Sequence, residues 1–190
     1  MNETKLKILE TMHHLIAMQG YEKTSTNQIC ELVGVKKPTL YYYFKTKEDL
    51  LLQCVEYYMF QTPTFDKTFN DKQSFKNFFY SIGTNYIEHL LTNIEERKFL
   101  AEVKLLEQRI PSLKQYLQQY YTNINKELIQ LIDIAKSFGV IDKNIYSQTL
   151  ITLMFTIFEG IDNTILYYFD ETSPEDITAS WVQFVNLLFN

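Results

Sequence analysis

The side chains best suited to chemistry in this 190-residue chain are the cationic and hydroxyl groups between residues 36 and 47. Lysine ammonium groups neutralise phosphates, and Thr and Tyr hydroxyls make directional hydrogen bonds to phosphates or base edges. Their spacing favours recognition of a nucleic acid over catalysis. The candidates are Lys36, Lys37, Thr39, Tyr41, Tyr42, Tyr43 and Lys47, joined upstream by Ser25 and Thr26.

These residues lie on what the pattern predicts to be a helix-turn-helix. Ser25 precedes Gln28 by three residues, as in a capping box, and Gly34 ends the short helix that follows. Pro38 suits the first turn of a second short helix, which presents its N-terminal side chains to a major groove. Three successive tyrosines point in three directions, so at least one or two phenols are expected to be exposed. The spacing alone is equally compatible with an ordinary helical bundle.

The rest of the chain also predicts helices. Apolar residues recur at three- and four-residue spacing from residue 4 to 18, and Thr46 can cap a fourth helix. Asp142 can cap a segment at 143–169 that is apolar nearly all round, and Ser173 starts the last helix. We predict an all-α fold of about nine helices. A three-helix head within residues 1–62, which carries the candidate contact residues, precedes a larger helical body at 63–190, with the joint at 65–71.

Composition limits the alternatives. The net charge is −5, but residues 1–50 carry seven Lys and six acidic residues, so an anion-binding surface must be local. Three His and two Cys, without a phosphate loop or hydrolase motif, predict no enzyme, no metal site and no cofactor. The N terminus lacks a signal-peptide pattern and the longest apolar stretch is too short to span a bilayer. We therefore expect a cytoplasmic protein that does not enter membranes.

The order of residues also resembles a known family. Thr24-Ser25 with Ile29, the run from Val33-Gly34 through Lys36-Lys37-Pro38-Thr39-Leu40-Tyr41-Tyr42-Tyr43-Phe44, and Lys45-Thr46-Lys47-Glu48-Asp49-Leu50 are similar to the DNA-binding domain of TetR-family (tetracycline-repressor-like) transcriptional regulators. The resemblance covers about the first 60 residues. It implies a homodimeric repressor of double-stranded DNA, released in most cases by a small molecule. It places the nine candidate side chains at the DNA-contact positions, although Lys36 stands where the family often has a capping Ser.

The body has features expected of a dimer and of a ligand site. An all-round apolar helix and a heptad-like seam need a partner surface, which a two-fold dimer would supply, although both helices could instead pack on their own body. The predicted interface residues are Ile157, Ile161, Ile165, Trp181, Phe184 and Leu188. Polar groups among aromatics suit a hydrophobic or aromatic effector, although each residue alone is more often a surface or core residue. These are Tyr86, His89, Glu102, Tyr120, Asn123, Glu159 and Asn163.

Two other functions stay open from the residues alone. Cys30 and Cys54 could form a thiol-based redox sensor, although buried apolar thiols are the commoner explanation. A helical partner-binding protein without DNA binding is the second alternative. The operator, the regulated genes, the effector and the direction of its effect do not follow from the sequence.

Overall fold

The computed structural model describes residues 2–59, 69, 71–167 and 173–189, and within these ranges it contains nine α-helices and no strand. The all-α prediction is confirmed. The helices are α1 (Glu3–Gln19), α2 (Thr26–Val33), α3 (Lys37–Tyr43), α4 (Lys47–Met59), α5 (Lys72–Thr92), α6 (Ile94–Glu107), α7 (Pro111–Ser137), α8 (Ser147–Tyr167) and α9 (Pro174–Leu188).

The helices form two compact units. The first contains α1 to α4, α6 and the start of α7 up to Leu117, and the second contains α5, α7 from Gln118, α8 and α9. These units group residues by their contacts. The predicted domain boundary between residues 62 and 63 stays a prediction. The predicted joint at 65–71 falls mostly outside the described residues.

Helix α1 is the centre of the first unit. The Asn2 side chain caps it by accepting a hydrogen bond from the Thr4 N–H, and Gly20 ends it with φ 82°. Its apolar stripe is buried against α2, α4 and α6. Because each large apolar side chain contributes about 1.5–3 kcal/mol on burial, this stripe anchors the short helices around it. The stripe consists of Ile8, Leu9, Met12, Leu15 and Ile16.

Local signals shape the predicted helix-turn-helix. The Ser25 Oγ accepts a hydrogen bond from the Gln28 N–H at 3.1 Å, and Gly34 takes the left-handed conformation at φ 76°. A residue with a Cβ is strained there, so glycine lets the chain turn sharply into α3. Leu40 and Phe44 are completely buried and attach α3 to the core, while Lys36 at its N-cap makes no side-chain capping bond.

Trp181 is the centre of the second unit. The indole is completely buried, stacks on Phe79 at 6.0 Å and donates from Nε1 to the Tyr80 carbonyl at 3.1 Å. Gly83 on α5 makes this close packing possible, since a Cβ there would lie 2.1 Å from the indole ring. Helix α9 is thereby fixed against α5.

The start of α8 differs from the prediction. Asp142 does not cap a helix at residue 143: its side chain accepts from the Asn144 N–H at 2.8 Å in a turn, and α8 begins at Ser147. Ser147 is held by Lys136 Nζ at 2.7 Å, which places the helix start against α7. Within one protomer, Thr152, Thr156 and Gly160 form an exposed face of α8, so the protomer alone does not bury this helix on all sides. Residues 168 and 169 lie outside the described ranges.

Candidate nucleic-acid interface

Helix α3 presents most of the predicted contact residues to solvent. Lys36 and Lys37 are exposed at its first turn, and Thr39 is half-buried beside them. Tyr42 is 81% exposed and Tyr41 is 45% exposed, although tyrosine ordinarily buries much of its ring. A short helix with cations at its start and free phenols along one side can offer both charge and directional hydrogen bonds to a phosphate backbone.

The third tyrosine has a different role. Tyr43 is half-buried against the core, with its ring edge-on to Tyr42 at 5.0 Å and tilted on Phe44 at 6.3 Å. Tyr43 therefore orients the Tyr42 ring from behind. The expectation that one or two of the three phenols would be exposed is confirmed, with Tyr41 and Tyr42 as the exposed pair.

The start of α2 lies beside α3. Ser25 is exposed, but its Oγ is already used in capping the helix. The Thr26 Oγ1 lies 3.5 Å from the Tyr41 hydroxyl, so the two hydroxyls can share a hydrogen bond across the turn. This contact brings the N terminus of α2 and the exposed side of α3 onto one surface.

Lys47 is the predicted contact lysine whose ammonium group is already bound within the protein. Its Nζ donates to the Tyr21 carbonyl at 2.6 Å and lies 3.9 Å from the centroid of the Tyr21 ring. Partial burial lowers the pKa of Lys47 from its ordinary value, against the opposing charge of Glu22. Thr46 caps α4 by accepting from the Asp49 N–H at 2.9 Å, as predicted.

Tyr21 is a residue that the sequence reasoning missed. Its N–H donates to the Glu102 Oε1 at 2.9 Å, while its carbonyl accepts from Lys47. The turn after α1 is thus held by α6 on one side and α4 on the other. Burial, followed by the charges of Glu48 and Glu22, raises the pKa of Tyr21 to about 12. The partner Glu102 is 81 residues away, so no local pattern signals the contact.

The predicted ligand residues are divided between the units. Glu102 lies in the first unit, and the other six lie in the second. Tyr86 donates to Asp162 Oδ1 at 2.6 Å and packs edge-on against Phe158 at 5.3 Å. Burial and then the charge of Asp162 raise the pKa of Tyr86 well above its ordinary value, so the phenol keeps its proton. Asp162 was not among the sequence candidates, although it lies one turn after Glu159.

The other predicted ligand residues are more accessible. Tyr120 is half-buried, with its ring 5.7 Å from that of Tyr121. Glu159 lies near enough to Tyr86 to contribute to its raised pKa. The exposed members of the set are His89, Asn123, Glu159 and Asn163. Their predicted ligand role stays a prediction.

The predicted dimer residues divide into buried and half-buried groups. Trp181, Ile161 and Ile165 are at most 6% exposed within their own protomer. Their side chains serve the core of the second unit, so a partner could reach only their surroundings. Ile157, Phe184 and Leu188 are half-buried. Among the side chains of α8 and α9 that the structure describes, the exposed large apolar ones are Leu153 at 50% and Leu187 at 73%.

The thiols lack the environment of a redox sensor. Cys30 and Cys54 are both free and buried, and Cys54 lies 3.6 Å from the Leu9 carbonyl. Burial raises the pKa of both thiols, whereas a reactive thiol needs a lowered pKa. Among the described residues, no three His, Cys, Asp or Glu side chains are placed to share a metal ion. Within the same ranges, no helix is long and apolar enough to cross a bilayer.

Comparison with known proteins supports this geometry. Residues 8–54 match the family described as bacterial regulatory proteins, tetR family. The uncharacterized HTH-type transcriptional regulator YuxN of Bacillus subtilis is 34% identical over 114 residues, which are 58% of this chain and 37% of YuxN. The match thus spans about a third of the length of that relative.

Two further proteins extend the comparison. IcaR of Staphylococcus epidermidis, the HTH-type negative transcriptional regulator of the biofilm operon icaADBC, is 25% identical over 68% of this chain and 69% of IcaR. The transcriptional regulator FadR from Bacillus subtilis, solved in complex with stearoyl-CoA, shares the fold with a TM-score of 0.75 at 20% identity, over 97% of both chains. Residues 8–54, which contain the helix-turn-helix, are thus similar to the bacterial regulatory proteins of the tetR family.

Proposed function

We propose that this protein is a transcriptional repressor that binds a palindromic operator as a homodimer and is released by a small hydrophobic or aromatic effector. The observation that carries this proposal is the exposed side of α3, where Lys36, Lys37 and Tyr42 stand free of the core that Leu40 and Phe44 anchor. IcaR, which is named a negative regulator, supports repression as the direction of control. A regulator of this kind would act in the cytoplasm, where the chromosome lies.

The protein would make two kinds of DNA contact, one to phosphates and one to base edges. Lys36, Lys37 and the Tyr42 hydroxyl would contact phosphates, while Thr39 and Tyr41 would face base edges. Ser25, Thr26 and Tyr43 would position the contact residues by their bonds and packing within the helix-turn-helix. Lys47 donates one hydrogen bond to the Tyr21 carbonyl, and its remaining N–H donors would serve a phosphate. Since the first 50 residues carry a net charge of only +1, two heads acting together would be needed for tight binding.

The dimer would use α8 and α9. Leu153 and Leu187 are exposed apolar side chains on these helices, and Gly160 lies between them in the chain with open space around it. An exposed apolar surface is costly unless it is covered, and a two-fold partner covers the same surface on both copies. The half-buried Ile157, Phe184 and Leu188 would lie at the edge of this contact.

The effector would bind within the second unit. Tyr86, Phe158 and Asp162 join aromatic surface to a hydrogen-bonding group, the combination that small-molecule sites use. FadR carries stearoyl-CoA in a similar fold, which supports a ligand-binding body here. We therefore propose residues 1–62 as the DNA-binding domain and 63–190 as the ligand-binding and dimerisation domain.

The test is selection of bound duplexes from a random DNA library at several salt concentrations. We expect one inverted-repeat site, with affinity that falls steeply as salt increases. The Tyr42→Ala variant should lose affinity for that site, whereas Tyr146→Ala, which removes a tyrosine of similar exposure (74%) from the second unit, should not. Recovery of no site by a folded protein would contradict the proposal and favour a partner-binding protein.

A further inference from the structure

His13 on α1 lies between two carboxylates of α6. Its Nδ1 is 3.1 Å from Glu95 Oε1, and its Nε2 is 3.1 Å from Glu96 Oε2. Only 7% of the His13 side chain is exposed, against 14% for Glu96 and 45% for Glu95. Carboxylates only accept hydrogen bonds, so both ring nitrogens must donate, and imidazole donates from both nitrogens only when it carries both protons. The geometry is therefore that of a charged imidazolium.

The surroundings also favour a fixed ring. The His13 ring stacks on Tyr58 of α4 at 3.9 Å, with 19° between the planes, and lies 4.5 Å from Phe99 of α6. Three helices thus meet at this one side chain. The ring cannot rotate away from either carboxylate without leaving the stack, so loss of a proton would leave a buried lone pair facing a carboxylate oxygen.

Near neutral pH the neighbouring Tyr58 and Cys54 keep their protons, and Glu95 keeps its charge. Burial first, and then neighbouring groups that include Glu10 and Glu96, raise the pKa of Tyr58 far above its ordinary value. Burial and then Glu96 do the same for the Cys54 thiol. Burial alone would raise the pKa of Glu95, but its bonds to the exposed His14 and to His13 outweigh this and hold that pKa below its usual range.

We propose that His13, Glu95 and Glu96 form a proton-dependent latch that holds α1 to α6 when the imidazole is charged and loosens this packing as the pH rises. Helix α1 packs against α2, α3 and α4, and it therefore supports the helix-turn-helix. The second contact from α6, the bond from the Tyr21 N–H to Glu102, lies at the end of α1 and does not depend on His13. The latch therefore affects the middle of α1, while the bond between Tyr21 and Glu102 keeps the C-terminal end of α1 attached to α6.

The sign of the effect follows from which state of the protein holds the proton. The native state binds the charged imidazole through two carboxylates, and the unfolded chain does not. The stabilisation is therefore present while the imidazole holds both protons and is lost when a rise in pH removes one of them. Where the latch concerns DNA, it rests on the proposed function: operator affinity is expected to decrease in the same direction as α1 loosens.

The first experiment is urea unfolding of the whole chain at pH 6 and pH 8. We expect the folding equilibrium constant of the native protein to fall about tenfold, which corresponds to the loss of one charge-assisted hydrogen bond. The His13→Gln variant should lose most of this pH dependence. The matched control is His89→Gln, which removes an exposed histidine of the second unit and should keep the native profile. An unchanged profile in His13→Gln would overturn the proposal.

A second variant covers the case in which His13→Gln does not fold. Glu96→Gln keeps the size of the side chain, and its amide can donate to a neutral imidazole, so the stability loss between pH 6 and pH 8 should disappear in this variant. In the native protein, ¹⁵N spectra of the imidazole should show both His13 nitrogens protonated at pH 6. A single neutral tautomer at every pH would overturn the latch.

Operator affinity is the third measurement, and it separates the two proposals. We expect the native protein to bind its site several-fold more weakly at pH 8 than at pH 6, and His13→Gln to show little difference. Absence of DNA binding at both pH values would contradict the proposed function, while the unfolding and ¹⁵N measurements would still decide the latch. Equal pH dependence of DNA binding in the native and His13→Gln proteins would remove its link to DNA.

Discussion

At the scale of the residue, the same side-chain type has different roles according to what holds it. Lys37 is exposed at the start of α3, while Lys47 is committed to the Tyr21 carbonyl and ring. Tyr42 is exposed, Tyr43 supports it from the core, and Tyr86 is held by Asp162. Mutations of lysines and tyrosines should therefore separate DNA binding from stability.

The first residue-scale prediction concerns Lys37. Lys37→Ala should weaken operator binding and reduce the slope of log K against log salt concentration by about 0.9 for each phosphate that is no longer neutralised, hence by about twice that in a dimer. The measurement is a fluorescence anisotropy titration at several salt concentrations. Lys143→Ala, at an exposed turn of the second unit, is the control and should leave the slope unchanged. An equal slope for both variants would remove Lys37 from the interface.

The second residue-scale prediction concerns Tyr86. Tyr86→Phe removes the hydroxyl that donates to Asp162 at 2.6 Å and should lower the free energy of unfolding by about 1–3 kcal/mol, because a partly buried acceptor is left with one bond fewer. Urea unfolding measures this loss. Tyr146→Phe, at an exposed tyrosine, should change stability by less than about 0.5 kcal/mol. A loss of the same size in both variants would contradict the role of the Asp162 bond.

At the scale of the element, short helices depend on a few attachments. Helix α3 has seven residues and is held by Leu40 and Phe44, so its exposed side is free for recognition. Helix α9 is longer, and it is held to α5 through Trp181 and Gly83. In both cases the attachment, rather than helix propensity, determines where the helix lies.

The element-scale prediction concerns the contact between α5 and α9. Gly83→Ala should destabilise the protein by about 1–3 kcal/mol, although alanine favours a helix, because its Cβ would lie 2.1 Å from the indole of Trp181. Thermal or urea unfolding, together with Trp181 fluorescence, measures the change. Asn85→Ala on the exposed side of α5 is the control and should be nearly neutral. A stabilised Gly83→Ala variant would show that the two helices separate easily.

At the scale of the whole molecule, the proposed dimer explains the apolar side chains that each protomer leaves uncovered. Trp181, Ile161 and Ile165 already fill the core of the second unit, so an interface must use what α8 and α9 still expose. Leu153 and Leu187 are such side chains, and Gly160 has open space around it within the protomer.

The whole-molecule prediction follows from these exposed positions. Leu187→Glu should shift the protein from dimer toward monomer in sedimentation velocity, because burying an unpaired charge in an interface is costly. Leu105→Glu introduces the same charge at an exposed leucine of α6 and should leave the assembly unchanged. Gly160→Leu should also weaken the dimer, since a Cβ at this position would have open space around it within the protomer and could clash with a partner. Intact dimers in both the Leu187 and the Gly160 variants would place the interface elsewhere.

Local sequence was sufficient to predict the helices, their main caps and the helix-turn-helix, because these depend on residues within about four positions of each other. Ser25 with Gln28, Gly34, and Thr46 with Asp49 are such cases. The predicted start of α8 was wrong because the Asp142 carboxylate can accept a backbone hydrogen bond in a turn as readily as at the N terminus of a helix.

Contacts between side chains that are far apart in the sequence could not be predicted from it and are known only from the three-dimensional structure. His13 and Glu95 are 82 residues apart, Tyr21 and Glu102 are 81 apart, and Trp181 and Tyr80 are 101 apart. Periodicity shows that a helix has an apolar face but not which helix covers it. Trp181 was therefore predicted at the dimer interface, although its side chain is buried in the core of its own protomer. A polar partner is chosen by the packing of whole helices, and no local pattern of residues carries that information.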